Sequence, residues 1–235
     1  MGCARPNLKC VKRAIIACVV GFFAGFPAHA NLSANPIILE FQDGLGVRKD
    51  ITISNTSDRT SYIQVSAARI TNLGDGKEEY LTSPNPREVG LLVAPRRVIL
   101  KPNEQKIIRV IALERAVKED KAWRVNITPV AGDIKSKSNV VVTQLGYRVL
   151  VYARPENAFG DVRVERYGKL LTLTNTGNTN VLLEGQEQCA SDTDECRNLP
   201  LKRLWPGQSR NIELPFDTPA PFKLRGPTGT TEVTF

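Results

Sequence analysis

Apolar and polar residues alternate along much of the chain with a period of two, which is typical of β-strands that bury one face. Ile51 and Ile53 share a face in one such segment, and Ile63 and Val65 share a face in the next. The residues between these segments, Asn-Thr-Ser-Asp at 55–58, favour a turn. Because helical periodicity is almost absent, the pattern predicts an all-β protein.

One stretch, NVVVTQLGYRVLVYARP at 139–155, is longer than an ordinary strand and largely apolar on both faces. At strand periodicity one face carries Val141, Thr143, Leu145, Tyr147, Val149 and Val151, and the other carries Val140, Val142, Arg148, Leu150 and Tyr152. Such a run is typical of a core strand buried on both sides. An edge strand that keeps one face for a partner gives the same pattern, so both interpretations stay open at this point.

Two motifs occur twice, in the same order. LTLTNTG at 171–177 echoes ITISNTS at 51–57, and LWPGQSRNI at 204–212 echoes LKPNEQKII at 100–108. Short strands with turn signals at this spacing predict two immunoglobulin-like β-sandwich domains in tandem. We expect the first domain over residues 31–154, carrying the long stretch, and the second over residues 155–235. Arg154 and Pro155 break the long stretch and are the predicted domain hinge.

The first thirty residues are predicted to be a secretory signal peptide, removed from the mature protein, rather than part of the fold. Four basic residues precede an apolar run at 14–26, and Ala-His-Ala at 28–30 fits a cleavage site. The apolar run is too short to span a bilayer. This segment therefore predicts an exported protein.

Removing this leader changes the composition of the chain. Three of the five cysteines and the single histidine lie in it, so the mature chain keeps Cys189 and Cys196 and has no histidine. Four of the 32 basic residues also leave, which gives 28 Lys plus Arg against 24 Asp plus Glu and a formal charge of +4 instead of +8. The remaining charges are dispersed and aromatic residues are few, which argues against a nucleic-acid binder.

The two remaining cysteines, Cys189 and Cys196, lie in a polar, turn-like segment. In an exported protein this predicts a structural disulfide that closes a small loop and stabilises the fold by roughly 2–3 kcal/mol. Two thiols without a histidine make a poor metal site, and the redox motif C-x-x-C is absent. We therefore expect no metal and no cofactor.

The mature chain offers no recognisable catalytic arrangement. Without histidine there is neither a Ser-His-Asp nor a Cys-His arrangement, and no Gly-rich phosphate loop joins a strand to a helix. The stretch at 72–90 is rich in Gly, Pro and charge and is predicted to be a surface loop without a site. Its adjacent carboxylates, Glu78 and Glu79, are interpreted as a solvated pair. We expect a protein that binds, not an enzyme, and no small-molecule substrate.

Several segments taken together resemble the periplasmic chaperones of the chaperone–usher pathway, which build pili. They are LVAP at 92–95, VILKP at 98–102, KIIRV at 106–110, WRV at 123–125 and YARP at 152–155. The likeness covers nearly all of the mature chain. The second half, with LTNTGN, the short cysteine pair and WPGQSR, looks most like the alternative-type chaperones of coli-surface-antigen and common pili.

The resemblance implies two immunoglobulin-like domains and donor-strand complementation as the function. In this mode the long strand of the chaperone fills the groove of a pilus subunit that lacks one strand, and alternate side chains enter pockets. An ungapped match of Arg154-Pro155 places Val141, Thr143 and Leu145 at the groove-filling positions. The alternative register packs these three into their own domain and turns Val140, Val142 and Leu150 outward.

The resemblance also raises the question of how the terminal carboxylate of the subunit is held. The usual Arg and Lys positions of the family match Leu39 and Leu150 here, and neither side chain can bind a carboxylate. Arg124 fits a position for an alternative anchor, and Arg148 is a second candidate because it interrupts an apolar face. The competing interpretation for each is a structural ion pair or a solvated arginine. By the same resemblance Arg154 pairs with a carboxylate across the domain hinge.

Three classes of function follow from these observations. The first is a periplasmic chaperone of a Gram-negative cell whose partners are pilus subunits, bound 1:1, and an outer-membrane usher, without nucleic acid and without ATP. Such a protein can also cap its exposed strand by forming a self-capping oligomer. The second is a two-domain pilus subunit or adhesin, for which the segment at 31–35 is too short as a donor extension. The third, an enzyme or solute-binding protein, has no visible site.

Overall fold

The computed structural model describes residues 32–42, 48–74, 77–116, 118–130 and 145–235, which form two immunoglobulin-like β-sandwiches in tandem. The strands of the first sandwich are β1 Leu32–Asn35, β2 Ile38–Phe41, β3 Arg48–Asn55, β4 Ser61–Ile70, β5 Tyr80–Leu81, β6 Leu91–Ala94, β7 Arg97–Leu100, β8 Gln105–Ala112, β9 Lys121–Val130 and β10 Tyr147–Ala153, and its described residues also include the helix α1 Pro86–Val89. The strands of the second are β11 Val162–Tyr167, β12 Leu170–Asn175, β13 Val181–Gly185, β14 Glu187–Cys189, β15 Cys196–Asn198, β16 Leu201–Leu204, β17 Ser209–Glu213, β18 Pro221–Gly226 and β19 Gly229–Thr234. Within the described ranges, no helix combines the length and hydrophobicity needed to cross a membrane.

Two sheets enclose the core of the first sandwich. One has the strand order β1-β3-β8-β6, and the other has the order β2-β10-β9-β4-β5, with β7 also paired to β4. The alternation predicted at Ile51, Ile53, Ile63 and Val65 is confirmed, because all four side chains are buried between the sheets. Trp123 lies at the centre of this core and donates its indole N–H to the carbonyl of Val89 at 2.7 Å, which ties α1 to the sheet.

The second sandwich has its own, smaller core. Its sheets have the orders β11-β12-β17 and β16-β13-β18-β19, and a separate two-stranded ribbon is formed by β14 and β15. Leu171, Leu173, Leu183 and Phe222 are among the side chains buried between these sheets. Burial of each such side chain stabilises a fold by about 1.5–3 kcal/mol, so each sandwich carries its own hydrophobic driving force.

The repeated motif has a common structural cause in both sandwiches. Asn55 at the end of β3 and Asn175 at the end of β12 are buried asparagines. The Asn55 amide donates to the carbonyl of Leu100 at 3.1 Å, and the Asn175 amide donates to the carbonyl of Leu204 at 3.0 Å. Each side-chain oxygen accepts from the backbone two residues later, which forms the turn after the strand. The motif is therefore repeated because a buried asparagine amide joins equivalent elements in each sandwich.

The structure differs from the sequence pattern at two places. Within the described residues the long stretch becomes a strand only at Tyr147–Ala153, while Leu145 and Gly146 precede it outside any strand and residues 131–144 lie outside the description. The predicted surface loop at 72–90 contains β5 and α1. The Asn85 side chain caps α1, and Gly90 ends it with a φ of 81°, a left-handed conformation that favours glycine.

Candidate functional site

The candidate site lies on the face of the larger sheet that points away from the first core, which we call the cleft face. Strand pairing places Leu150 of β10 opposite Arg124 of β9, and paired residues of neighbouring antiparallel strands share a face. Arg148 and Tyr152, two residues to either side of Leu150, therefore point the same way. Trp205 of the second sandwich packs edge-on against Tyr152, with ring centroids 6.0 Å apart, so the second sandwich covers one end of the cleft face.

β10 has different neighbouring strands at its two ends. β9 pairs with all of β10, but β2 pairs with it only at Leu150–Ala153, and the backbone N–H of Leu150 also donates to the carbonyl of Ile37 at 3.0 Å. The expectation of an edge strand is therefore wrong for Leu150–Ala153, which lie between two neighbours and are buried on both faces. On the β2 side, none of the strands in the described ranges pairs with residues 147–149, and we call this part of β10 the free edge of the described sheet.

The predicted groove-filling residues all precede this free edge in the chain. Val141 and Thr143 fall outside the described residues. Leu145 is described, and its side chain is 55% exposed two residues before β10 begins. Leu150, which the alternative register turns outward, is buried on the cleft face. Leu145 is thus accessible to a partner, and its role as a donor residue stays a prediction.

Arg124, the first anchor candidate, already holds a carboxylate. Its Nε donates to Oε2 of Glu78 at 3.0 Å, and its Nη2 donates to Oε1 of the same carboxylate. This fork lowers the pKa of Glu78 below its ordinary value and raises the pKa of Arg124, so both groups stay charged. The interpretation of Glu78 and Glu79 as a solvated pair is therefore wrong for Glu78.

Arg148, the second candidate, joins the same group of side chains through Tyr80. Its guanidinium lies over the Tyr80 ring, 5.1 Å from the ring centroid, and one of its N–H groups donates to the Tyr80 hydroxyl. That hydroxyl donates in turn to the carboxylate of Glu78. The two arginines are thus connected by one loop segment, and β5 within it is paired to β4 only at Arg69 and Ile70.

The two leucines at the usual anchor positions of the family are both buried, in different places. Leu39 on β2 packs into the first core, and Leu150 packs on the cleft face beside Tyr152 and Ile70. Neither supplies a donor to a carboxylate, as the sequence indicates. On β2 the residue that contacts a cleft-face side chain is Glu40, whose carboxylate accepts from the Tyr152 hydroxyl at 2.5 Å.

Arg154 is buried directly after β10, and Pro155 next to it is buried as well. Arg154 forms an ion pair with Glu40 of the first sandwich, which corrects the expectation of a carboxylate across the hinge. Toward the second sandwich its Nη1 donates to the Thr179 hydroxyl at 2.5 Å and to the Asn180 carbonyl at 3.1 Å. Burial raises the pKa of Glu40, but hydrogen bonds from Arg154 and Tyr152 outweigh burial and leave that pKa below its ordinary value.

Asp120, directly before β9, is a carboxylate of the first sandwich that contacts the second sandwich. It is 5% exposed and accepts from the Thr179 hydroxyl at 2.8 Å, from the Asn180 backbone N–H at 2.7 Å and from the Asn180 amide. Burial raises the pKa of Asp120 above its ordinary value, although these hydrogen bonds act in the opposite direction. Polar contacts therefore join the two sandwiches at Thr179 and Asn180.

Cys189 and Cys196 form the predicted disulfide, which joins the two strands of the β14–β15 ribbon. In the part of the chain that the structure describes, one group of acidic and sulfur side chains is close enough to hold a metal ion, and it consists of these cysteines with Glu187. The two sulfurs are bonded to each other and therefore offer no thiolate ligand. The buried Gln188 next to Cys189 donates to the carbonyls of Phe216 and Thr218, which fixes the ribbon to the second sandwich.

Sequence reasoning identified the arginines of this region but missed the residues that hold them. Glu78 and Tyr80 contact these two arginines from a distant part of the chain. Glu78 lies 46 residues before Arg124. The sequence carries no signal for such long-range pairing. A weak signal exists for Glu40, because a charged residue stands between the apolar residues Leu39 and Phe41 of a strand and must leave the core face.

Two curated fimbrial proteins of Escherichia coli are similar to the chain over most of its length. A CS1 fimbrial subunit is 31% identical over 196 residues, which is 78% of this chain and 81% of that protein. A CFA/I fimbrial subunit is 27% identical over 199 residues, which is 79% of this chain and 81% of that protein. No protein-family model matches the chain.

Solved structures of pilus chaperones have the same fold. The class 5 fimbriae chaperone CfaA superposes with a TM-score of 0.61 at 21% identity, covering 87% of this chain and 98% of that one. A chain from the complex of the Salmonella enterica SafA pilin with the SafB chaperone superposes with a TM-score of 0.60 at 13% identity, covering 88% of this chain and 96% of that one. At these identities the likeness shows the fold.

Proposed function

The chain belongs to the family of the CS1 fimbrial protein, and we propose that it is a periplasmic chaperone that binds, folds and caps pilus subunits and delivers them to an outer-membrane usher. The observation that carries this proposal is the free edge of β10 at residues 147–149 on a strand whose continuation is fixed in the sheet. A partner strand added at this edge has a rigid template for its main-chain hydrogen bonds.

We assign donor-strand complementation to Val141, Thr143 and Leu145, which shortly precede this edge in the chain. An unpaired apolar edge strand is normally an aggregation hazard, which proteins avoid unless the edge serves binding. Leu145 is more than half exposed at 55%, so its side chain is available to a groove. Each aliphatic side chain that enters a pocket contributes about 1.5–3 kcal/mol.

Arg124 and Arg148 are the proposed anchor for the terminal carboxylate of the subunit. A partner strand that pairs along the free edge and runs parallel to β10 has to end where the pairing of β2 with Leu150 begins. Leu150 lies opposite Arg124 on β9, so the partner strand ends next to Arg148 and across β10 from Arg124, and both arginine side chains lie on the cleft face. A guanidinium binds a carboxylate with two parallel hydrogen bonds, which also fixes the register of the bound strand.

We further propose that the protein is a chaperone of the alternative type and that it acts in the periplasm. The 31% identity with the CS1 fimbrial protein supports the former, and the predicted signal peptide over residues 1–30 supports the latter. Such a chaperone needs no ATP, because the folding of the pilus subunit and the later strand exchange drive the cycle. In the free protein a second copy can cover the edge as a self-capping oligomer.

The names of the two curated relatives describe them as fimbrial subunits, which favours a structural pilus protein as the second candidate. Co-expression with a pilin encoded beside this protein separates the two. A chaperone gives a soluble 1:1 complex, and a structural pilus protein gives polymers.

Leu145→Glu tests the proposed function. We expect the variant to fold but to lose most of its ability to keep the co-expressed pilin soluble in the periplasm, because a charged side chain cannot enter an apolar groove. Leu201→Glu in the second sandwich is the matched control, since Leu201 is a leucine of similar exposure, 61%, outside the edge. Full pilin accumulation with Leu145→Glu contradicts the donor assignment.

A further inference from the structure

We propose that Glu78 is a built-in carboxylate that occupies Arg124 in the free protein and is exchanged for the terminal carboxylate of a bound partner strand. Glu78 and Tyr80 together form what we call the latch. This inference rests on the proposed function, because it names the group that an incoming carboxylate has to displace.

The first step of the argument is the geometry of the ion pair. Both oxygens of Glu78 are used by one edge of the Arg124 guanidinium, Nε at 3.0 Å and Nη2 beside it. This is the arrangement that a peptide carboxylate adopts on arginine. A terminal carboxylate can therefore take this edge of Arg124 only after Glu78 leaves it.

The second step is that the latch lies in a short, partly exposed segment. Tyr80 belongs to β5, a two-residue strand whose partners on β4 are Arg69 and Ile70. Between the two latch residues, the backbone of Glu79 accepts from the N–H of Thr71 and donates to the side-chain oxygen of Asn72. Tyr80 is 38% exposed, and a third of the Glu78 side chain, 33%, is exposed. Segments with little buried surface and short pairing open at low cost, so the latch can leave while the rest of the sheet stays folded.

The third step is that the latch holds both arginines at once. The Tyr80 hydroxyl donates to Glu78 and accepts from Arg148, whose guanidinium also lies over the Tyr80 ring. When the latch leaves, two positive charges on the cleft face lose their shared negative partner. The ligand that restores the balance is an anion at the end of an extended strand, which is a peptide carboxylate.

The competing explanation is that Glu78 only fixes the segment 77–81 to the sheet. The two explanations predict different changes in carboxylate binding when the charge of Glu78 is removed. If Glu78 competes with a ligand, removing its charge tightens the binding of a free carboxylate. If Glu78 only pins the loop, removing its charge leaves carboxylate binding unchanged or weakens it.

The test uses the mature chain and acetyl-Ala-Val with a free carboxyl end as the probe, with the C-terminal amide of the same dipeptide as the reference. Binding is followed through the arginine Nε–H signals in NMR titrations. We expect Glu78→Gln to bind the free acid at least about fivefold more tightly than the wild type, without a gain for the amide. Glu79→Gln is the matched control, because it removes the same charge from the neighbouring residue, and we expect no gain from it. Arg124→Ala abolishes the gain when combined with Glu78→Gln.

Unchanged or weaker binding of the free acid by Glu78→Gln overturns the inference, as does an equal gain for the amide. Should Glu78→Gln not fold, Tyr80→Phe removes only the bridging hydroxyl and is expected to give a smaller gain in the same direction, and no gain then overturns the inference. Capture of a co-expressed pilin is measured separately. Normal capture without the carboxylate effect leaves the proposed function standing, and the carboxylate effect without capture leaves the inference standing.

Discussion

Arg154 and Thr179 meet between the two sandwiches, with the Arg154 Nη1 donating to the Thr179 hydroxyl at 2.5 Å. The same hydroxyl donates its proton to Asp120 at 2.8 Å. Thr179 thus accepts from a cation and donates to an anion that both lie on the side of the first sandwich. Because all three groups are buried, each depends on the others for its hydrogen bonds.

Arg154→Met is expected to lower the free energy of unfolding by about 3 kcal/mol, because Glu40 then loses the cation that compensates its partial burial. Chemical denaturation followed by circular dichroism measures the change. Arg163→Met on β11 is the matched control, because Arg163 is an exposed arginine and its replacement is expected to stay within about 0.5 kcal/mol of the wild type. Equal effects of the two variants contradict the structural role of Arg154.

Asp120 predicts a pH dependence of stability with an unusual sign. Its pKa in the folded protein is raised by burial above the ordinary value of 3.8, so the folded state holds a proton more strongly than the unfolded state. The contribution of Asp120 to stability is therefore fully present below pH 3.8 and is lost as pH rises through the raised pKa.

We expect the free energy of unfolding of the wild type minus that of Asp120→Asn to increase as the pH is lowered from 7 toward 4. Denaturant titrations at several pH values measure this difference. Glu119→Gln removes an exposed carboxyl from the preceding residue and is the control, so the slope for Asp120→Asn has to exceed the slope for Glu119→Gln. A difference that shrinks on acidification contradicts the raised pKa.

The disulfide is expected to stabilise the second sandwich. Replacing Cys189 and Cys196 by serine together opens a loop with a sequence separation of 7 and should lower the free energy of unfolding by about 2.5 kcal/mol. Thermal or chemical unfolding of the mature protein measures this, with and without a reductant. The reductant should bring the wild type to the stability of the double variant and leave the variant unchanged. A reductant effect on the double variant would show that another cause is involved.

The two sandwiches could be predicted from the sequence because their signals are local. The alternation at Ile51 and Ile53, the turn after Asn55 and the return of the same pattern at Asn175 each depend on neighbours in the chain. Burial of one strand face and capping of one turn are short-range requirements, so they leave a readable pattern. The cysteine pair is readable for the same reason, since a short loop leaves Cys189 and Cys196 close together.

The candidate site was predictable only in part, because its contacts join distant segments. Arg124 and Arg148 stand out as charges in apolar strands, but nothing near them in the chain identifies Glu78 or Tyr80 as their partners. The same holds for Arg154, whose family resemblance suggests a carboxylate across the hinge while the structure places Glu40 of its own sandwich against it. Ion pairs between strands depend on sheet order and register, which periodicity does not encode.

The order of residues alone was enough to predict an all-β chain of two related sandwiches with one disulfide, while export and the extent of the long apolar strand before residue 145 stay predictions. Where that strand is free and where it is covered depends on the assembled sheet, because the pairing of β2 with Leu150–Ala153 joins segments more than a hundred residues apart. The occupation of Arg124 by Glu78 likewise appears only in the folded chain. Local pattern fixes which residues are buried, whereas the free edge and the occupied guanidinium arise only when the strands lie side by side.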